Sequence, residues 1–321
     1  MDLALDRIAR AATDIDPTFL HSPQYVDEQL CARLGRRVLT KVETLNPLRS
    51  FKGRGADFLV GGLPAGTTVV CASTGGNFGQ AIGYAARRHG LRADVFVPTD
   101  TSAVKLARST ATGAHVHAVD GDVRGAAEEY AAGAPDRVFV CDGRDAAIAE
   151  GAGTIGVELL SSPEPFDAVV LPVGDGALVT GVARWLKEHR PSVRIVGVGA
   201  QAAPALVRSW RVGEVVTVER ENAFAAGISI VRPMPEAVER TRALVDDMVL
   251  VSDAALLAAM HLAAETLGVL LEPAGAAGLA ALDQVEGDLV ATVLTGANAD
   301  LATYGLPLTA NAEQTSAGAH L

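Results

Sequence analysis

Short apolar runs alternate along this chain with longer, Ala-rich helical stretches. The runs are rich in β-branched residues, and they predict strands at 37–42, 67–72, 93–97, 114–119, 137–140, 167–171, 194–198, 247–251 and 289–294. The stretches between them predict helices that include 77–89, 103–110, 123–132, 146–160, 178–188, 236–244, 253–267 and 274–283. Strands that alternate with helices are typical of βαβ units, so the pattern predicts an α/β fold built on parallel sheets.

The composition agrees with this fold class. Of the 321 residues, 49% are hydrophobic but only 4% are aromatic, so the core has to be built mainly from Ala, Val and Leu. Such a core suits helices packed closely on a parallel sheet better than an aromatic-rich β-sandwich. The length allows either one large domain or two ordinary ones, with a large buried core in both cases.

Charge and cysteine content exclude several functions. The net charge of −11 argues against a nucleic-acid surface, because binding to phosphates needs clustered Lys and Arg. No apolar run reaches the roughly 20 residues of a membrane span, and the acidic start lacks the pattern of a signal peptide. We therefore expect a cytoplasmic protein that binds neither nucleic acid nor membrane. The three cysteines have no paired spacing, and no CxxC or HxxxH pattern supports zinc.

One lysine in the first fifth of the chain stands in an unusual context. An Asn-Pro pair favours a turn, and Ser50 is a candidate N-cap for a helix that begins near residue 51. Lys52 then lies in the first turn of that helix, with Arg54 two residues further on. Burial, a nearby cation and the positive end of the helix dipole all lower the pKa of a lysine, and a neutral amine can form a Schiff base.

Three later segments each join a buried strand to a loop of small or hydroxyl residues. The first contains Ser73, Thr74, Gly75, Gly76 and Asn77, the second contains Gly174, Asp175, Gly176, Ala177 and Leu178, and the third contains Thr295. Together with the Ser-Phe-Lys sequence at Lys52 and a Glu-Pro-Ala-Gly-Ala sequence at Glu272, they make the chain resemble the pyridoxal-phosphate (PLP) enzymes of fold type II, the tryptophan-synthase-β type. The motifs of this chain are similar to those of threonine/serine dehydratases, which are ammonia-lyases, and of serine racemases. They occur in the family's order, and the resemblance covers most of the chain.

The resemblance implies a role for each motif. Lys52 matches the lysine that holds PLP as a Schiff base and, once free, removes the Cα proton of the substrate. Asn77 matches the asparagine that hydrogen-bonds the ring hydroxyl of the cofactor, and Gly227 matches a glycine that lines the cofactor's face. Thr295 matches the residue that faces the pyridine nitrogen. A hydroxyl there cannot fully protonate that nitrogen as a carboxylate would, so electron withdrawal into the ring is weaker. Weaker withdrawal favours β-elimination or β-replacement over transamination.

The same resemblance assigns the small-residue loops to anions. Successive backbone N–H groups of the loop 174–178, ahead of a helix, form a nest for the cofactor phosphate. Ser73, Thr74, Gly75 and Gly76 are expected to bind the substrate carboxylate. Glu272 is expected near the floor of the active site, with a role that water can mediate.

The chain departs from the family pattern in several places. Phe78 replaces the usual His, and Gly75 stands where serine racemases carry a second acid/base serine, which argues against racemisation by two opposed bases. Asp175 interrupts the glycines of the phosphate loop, so its carboxylate has to point away from the phosphate or bind a cation or the substrate amine. Residues 199–201 supply no carboxylate where several relatives bind a divalent cation, so no structural metal is predicted there.

The resemblance implies an amino-acid ammonia-lyase with PLP as its cofactor. A β-hydroxy or similarly activated α-amino acid, serine- or threonine-like, would lose its β-substituent and yield a 2-oxo acid and ammonia; hydroxyaspartate and diaminopropionate are further candidates. Three alternatives stay open: a β-replacement synthase of the cysteine or diaminopropionate type, a threonine-synthase-like enzyme, and a cofactor-free binding protein on the same scaffold. The retained Lys52 and Asn77 argue against the last of these.

The resemblance also implies two domains, each with a twisted, mainly parallel sheet flanked by helices, and a homodimer. A large PLP-binding domain would comprise residues 1–62 and 146–308, with a small domain, 63–145, inserted in it. The polar residues 309–321 are expected to form a flexible tail. Because ligands bind at the carboxyl ends of parallel strands, we expect the motifs to meet in one cleft.

Overall fold

Two sheets organise the chain in the computed structural model, which describes residues 1–73, 76–219, 221–222, 224–299 and 301–305. The strands are β1 (Gln24–Val26), β2 (Arg37–Val42), β3 (Thr68–Ala72), β4 (Arg92–Pro98), β5 (His115–Val119), β6 (Arg137–Phe139), β7 (Ala168–Pro172), β8 (Arg194–Ala200), β9 (Asp247–Val251) and β10 (Leu289–Leu294). The predicted tail lies outside the described residues, as do Thr74 and Gly75.

Helices fill most of the connections between strands. They are α1 (Leu5–Asp14), α2 (Glu28–Leu34), α3 (Lys52–Gly61), α4 (Asn77–Arg88), α5 (Ala103–Ala111), α6 (Val123–Ala132), α7 (Ala146–Leu159), α8 (Ala177–His189), α9 (Ala205–Val212), α10 (Pro235–Leu244), α11 (Asp253–Leu267) and α12 (Ala277–Ala280). Short 3₁₀ turns lie at Pro17–Phe19, Ala226–Ile228, Pro273–Ala276, Leu282–Gln284 and Leu301–Tyr304. In the described part of the chain, no helix has both the length and the apolar character that a membrane crossing requires.

The two sheets have different sizes and both are mainly parallel. The larger has the order β1-β2-β10-β7-β8-β9, and the smaller has the order β5-β4-β3-β6. β1 is antiparallel to β2, whereas the other pairs are parallel. This architecture confirms the predicted fold class. The smaller sheet is formed by residues that fall within 63–145, but the domain bounds themselves stay a prediction.

The larger sheet is buried on both faces. Val169 and Leu171 of β7 belong to a hydrophobic core that also contains α8, whereas Ala168 and Val170 belong to a second core that contains α11 and α12. A strand that is covered on both sides needs apolar residues at every position, which is why its sequence reads as a continuous apolar run.

The structure divides one predicted helix, and it contains four elements outside the predicted ranges, namely α1, α2, α9 and β1. The predicted helix 274–283 is divided into α12 and two flanking 3₁₀ turns. Gly275 and Gly278 have low helix propensity, and they let this segment lie directly against Gly296 and Thr292, where a Cβ atom would have no room. β1 has three partly exposed residues, too few for a hydrophobic pattern.

Candidate active site

A cavity of about 1050 Å³ opens at the carboxyl ends of strands from both sheets. Its walls include the ends of β3, β4, β5 and β6 from the smaller sheet, the end of β7 from the larger sheet, and Thr295 directly after β10. This is the location at which parallel sheets bind ligands, and its volume is that of a small-molecule site. The described members of the predicted site set line it or lie against it.

Lys52 is the first residue of α3, and its side chain lines the cavity. Its Nζ forms an ion pair with Asp142 and lies 4.9 Å from the centre of the Phe51 ring. Ser50 supports the start of the helix, because its Oγ accepts the backbone N–H of Lys52 at 3.3 Å, although the N-cap position is Phe51. The helix thus presents the lysine to the cavity.

The pKa of Lys52 is raised, which corrects the sequence prediction of a lowered value. Burial disfavours the charged amine, but the negative charges of Asp142, Asp175 and Glu272 outweigh that effect. The carboxylates come from loops that are distant in sequence, so the local pattern around the lysine does not contain this information. The three carboxylates therefore favour the protonated form of this amine.

Arg54 points away from Lys52 into a buried ionic network. Its guanidinium is 0% exposed and donates to Glu43 at 2.8 and 2.9 Å and to Glu158 at 2.6 and 2.9 Å. Thr154 accepts a further hydrogen bond at 2.9 Å, and Lys41 pairs with Glu158 at 2.5 Å. The network ties the beginning of α3 to β2 and α7. It therefore fixes the helix that carries Lys52.

Asn77 is the first residue of α4, and its side chain contacts two residues from later parts of the chain. Its Nδ2 donates to Glu272 Oε1 at 2.6 Å, and its Oδ1 accepts from Asn298 Nδ2 at 2.8 Å. Burial raises the pKa of Glu272, and the hydrogen bond from Asn77 opposes that effect. Glu272 is thus brought beside Asn77, although the two are 195 positions apart.

The loop before α4 is built around a serine and a glycine. Ser73 Oγ accepts the backbone N–H of Gly79 at 3.0 Å, so this hydroxyl helps to cap α4. Gly76 has φ = 91°, a left-handed conformation that favours glycine, and both residues line the cavity. The amino end of a 12-residue helix therefore opens toward the cavity.

The loop 174–178 connects β7 to α8 along another wall. Gly176 occupies the N-cap of α8 with φ = 95°, so the amino end of this 13-residue helix also opens to the cavity. Gly174 packs on Gly227 so closely that a Cβ on Gly174 would stand 2.5 Å from the Gly227 carbonyl oxygen. Ala177 and Leu178 begin the helix. Two glycines thus expose backbone in this wall, and exposed backbone at a helix start favours anions.

Asp175 contributes a carboxylate to the same wall. Burial and the negative charge of Asp142 raise the pKa of Asp175 to about 7, and the charges of Lys52 and Arg124 oppose this shift. The side chain thus shares a cluster with Lys52 and Asp142, and it carries a proton part of the time near neutral pH.

Thr295 completes the set of predicted residues. It is 5% exposed, lines the cavity, and its carbonyl oxygen accepts the backbone N–H of Phe51 at 3.1 Å. This contact places the end of β10 directly beside the start of α3. The hydroxyl of Thr295 and the amine of Lys52 therefore belong to the same cavity.

Sequence reasoning missed two residues that contact the predicted set. Asp142 follows β6 by three positions and pairs with Lys52, and Asn298 holds Asn77 and also donates to the Leu48 carbonyl oxygen at 2.8 Å. A carboxylate just after a predicted strand is a signal that applied to Asp142, because parallel strands point their carboxyl ends toward a common ligand site. Asn298 had no comparable signal.

The residues present fit PLP. The cavity combines an amine that can form a Schiff base, a glycine-rich helix start suited to a phosphate, and an amide and a hydroxyl for the ring. Glycine is needed at position 174 for packing, because a Cβ there would stand 2.5 Å from the Gly227 carbonyl oxygen. In addition, Asp142 Oδ1 is buried and, among the described residues, has no hydrogen-bond partner, which a donor on a bound molecule can supply.

The fold and the cavity define the class of protein. The structure is similar to that of maize serine racemase, with a TM-score of 0.88 and 27% identity over 94% of this chain and 96% of the racemase. That similarity identifies the fold as type II of the PLP-dependent enzymes. A family profile described as "Pyridoxal-phosphate dependent enzyme" matches residues 15–296, so the chain belongs to this family.

Two curated relatives extend the comparison. The chain is 30% identical over 285 residues to the biosynthetic L-threonine dehydratase of Pasteurella multocida, covering 86% of this chain and 56% of the relative. It is 32% identical over 276 residues to the L-threonine ammonia-lyase of Thermotoga maritima, covering 83% of this chain and 68% of that enzyme. The chain thus spans little more than half the length of the Pasteurella relative.

Proposed function

We propose that this chain is a PLP-dependent ammonia-lyase that acts on a serine- or threonine-like amino acid and releases a 2-oxo acid and ammonia. The observation that carries the proposal is one cavity that contains both Lys52, at a helix start, and the glycine-rich loop 174–178, at a second helix start. The names of the two curated relatives support a threonine dehydratase or ammonia-lyase activity.

The proposed contacts with PLP follow the positions of the side chains around the cavity. Lys52 Nζ would carry the cofactor, the backbone N–H groups of 174–178 would bind its phosphate, Asn77 its ring hydroxyl, and Thr295 its ring nitrogen. When bound, PLP supplies the electron sink that allows a Cα proton and a β-substituent to leave the substrate.

Lys52 is the proposed base for the Cα proton. Asp142 holds Nζ through an ion pair, and the cluster of carboxylates favours the protonated amine. Lys52 can therefore retain the proton that it removes, while Asp142 keeps the ammonium in position. Asp175, with a pKa of about 7, is the proposed donor of the proton that a leaving hydroxyl needs.

The substrate carboxylate is assigned to the amino end of α4. Ser73 and Gly76 line the cavity there, next to Asn77. The positive end of the helix dipole and the N–H groups at the start of the first turn favour an anion at this position. Phe78 also lines the cavity, so an apolar ring stands beside the proposed carboxylate site.

The first experiment tests the attachment of the cofactor. Purified protein reconstituted with PLP is expected to show the visible absorption band of a lysine-bound cofactor, and Lys52→Ala is expected to abolish it. Lys187→Ala is the matched control, because Lys187 pairs with Asp246 on the outside of α8, away from the cavity. A colourless wild-type protein, or a band that survives in Lys52→Ala, would refute the proposal.

The second experiment tests the reaction. A panel of serine, threonine and other β-substituted amino acids is assayed for ammonia and 2-oxo acid without an added nucleophile. Product release from at least one substrate is expected, and it should be absent in Lys52→Ala. Turnover that requires a second, nucleophilic substrate would instead indicate a β-replacement synthase.

The assembly and the location belong to the same proposal. We infer a homodimer from the family resemblance, and we propose a cytoplasmic location. Light scattering on the eluting protein tests the first inference, since a mass of one chain would contradict it.

A further inference from the structure

Two histidines and one aspartate come together on the smaller sheet, outside the cavity. His115 and His117 are two residues apart in the edge strand β5, so their side chains lie on the same face. The parallel register pairs His115 with Asp94 of β4. All three side chains therefore project from one corner of the sheet, and none of them lines the cavity that contains Lys52.

The three side chains direct their ligand atoms toward one point. Asp94 Oδ1 lies 3.1 Å from His115 Nδ1 and 2.6 Å from His117 Nε2, and all three atoms lie within 4.8 Å of one another. Ligand atoms of a tetrahedral zinc ion are about 3.3 Å apart, given bonds of roughly 2.0–2.1 Å. The distance from Asp94 to His115 is close to this value, whereas Asp94 Oδ1 and His117 Nε2 have to move apart by about 0.7 Å to admit an ion.

We propose that Asp94, His115 and His117 form a binding site for a transition-metal ion such as Zn²⁺. Two imidazole nitrogens and one carboxylate oxygen suit zinc, cobalt or nickel better than magnesium or calcium, which prefer oxygen ligands. Three protein ligands leave a fourth position for water. This site is separate from residues 199–201, where no structural metal is predicted. The proposal also does not depend on the proposed function.

The surroundings hold two of the ligands in place. The Phe96 ring stacks on His117 with centroids 4.5 Å apart, and Tyr130 of α6 lies 5.3 Å from the same ring. Asp94 is 7% exposed, so its carboxylate is largely shielded from water and gains from a cationic partner. His115 remains accessible, which gives an ion a path of entry. The site thus has two packed ligands and one exposed ligand.

Nearby positive charges are largely occupied. Arg92 pairs with Asp136 at 3.1 Å, and the Arg137 guanidinium stacks on Tyr130 at 3.7 Å and donates to the Tyr130 carbonyl oxygen at 2.9 Å. An ion in this site would bridge β4 to β5, so it would attach the edge strand to its neighbour. Stabilisation of the folded protein by the ion is the expected consequence.

The experiment is a titration of the full-length, chelator-treated holoprotein with Zn²⁺ by calorimetry, and with Co²⁺ by visible absorption. We expect one equivalent of ion per chain, a cobalt spectrum typical of tetrahedral coordination, and a higher melting temperature with zinc. His115→Ala and Asp94→Asn should each weaken binding at least about 10-fold. Because His115 is exposed, its variant is expected to fold normally.

Two controls separate this site from other binding. His189→Ala removes an exposed imidazole that stacks on Trp185, and it should leave the affinity unchanged. Lys52→Ala should also retain one equivalent, because the cluster is separate from the cavity. Failure to bind stoichiometrically, or equal binding by wild type, His115→Ala and Asp94→Asn, would overturn the proposal.

Discussion

The buried network around Arg54 gives the sharpest test of how the site is held. Replacing Arg54 with Met keeps much of the volume but removes the partner of Glu43 and Glu158. Lys41, Arg54, Glu43 and Glu158 together carry two positive and two negative charges, so the variant leaves one uncompensated negative charge among groups that are at most 10% exposed.

Removing one partner from a buried ion pair costs about 3–5 kcal/mol, because the other charge keeps its desolvation penalty. Arg54 makes four hydrogen bonds to carboxylates, between 2.6 and 2.9 Å, so we expect the upper part of this range. Adding Glu43→Gln to Arg54→Met restores neutrality, and we expect it to recover a substantial part of the lost stability.

The assay is urea denaturation of the PLP-loaded protein, followed by circular dichroism and by the cofactor's absorption. The matched control is Arg33→Met, because Arg33 makes an ion pair with Glu265 at 3.1 Å in which both side chains are more than half exposed. That variant should stay within about 0.5 kcal/mol of wild type. A change below about 1 kcal/mol for Arg54→Met, or no recovery in the double variant, would refute the reasoning.

Three further predictions concern neighbouring features. Burial alone would raise the pKa of Glu158, but Arg54 and Lys41 lower it from 4.5 to about 2. The resulting stabilisation, about 3 kcal/mol, is therefore present above pH 4.5 and lost as the pH falls toward 2, which acid denaturation curves of wild type and Glu158→Gln can measure. Gly55→Ala should destabilise the folded protein by about 1–3 kcal/mol, because its Cβ would stand 2.5 Å from a backbone oxygen of α7. Gly62 is exposed, so Gly62→Ala is the near-neutral control in the same denaturation assay. If Asp175 donates a proton, the rate with a hydroxyl leaving group should fall as the pH rises through about 7, and a pH–rate profile of Asp175→Asn should lack that limb.

The sequence predicts strands well where the local composition marks them. The observed bounds of β2, β9 and β10 match the predicted ones, and β-branched residues, which favour strands, recur in all three. The segment 274–283 fails for the opposite reason. Its Ala-rich composition suggests a helix, yet glycine contacts with the sheet determine its path.

The candidate site likewise contains some residues that local motifs indicate and others that only the fold brings in. Lys52 and the loop 174–178 could be found because local motifs mark them. Asp142 reaches Lys52 only through the fold, since 90 positions separate the two residues. The direction of the lysine's pKa shift therefore depends on tertiary contacts, which the residues around Lys52 in the sequence do not indicate.

The position of β10 in the larger sheet has a consequence for how this protein is made. β10 pairs with β2 on one side and β7 on the other, so the strand that is synthesised last among the described residues has an interior place. Until it arrives, a nascent chain holds two apolar edges without a neighbour, and such edges favour aggregation. Loss of the C-terminal part from β10 onward would split the sheet in two instead of trimming its rim, and Thr295 would be lost with it.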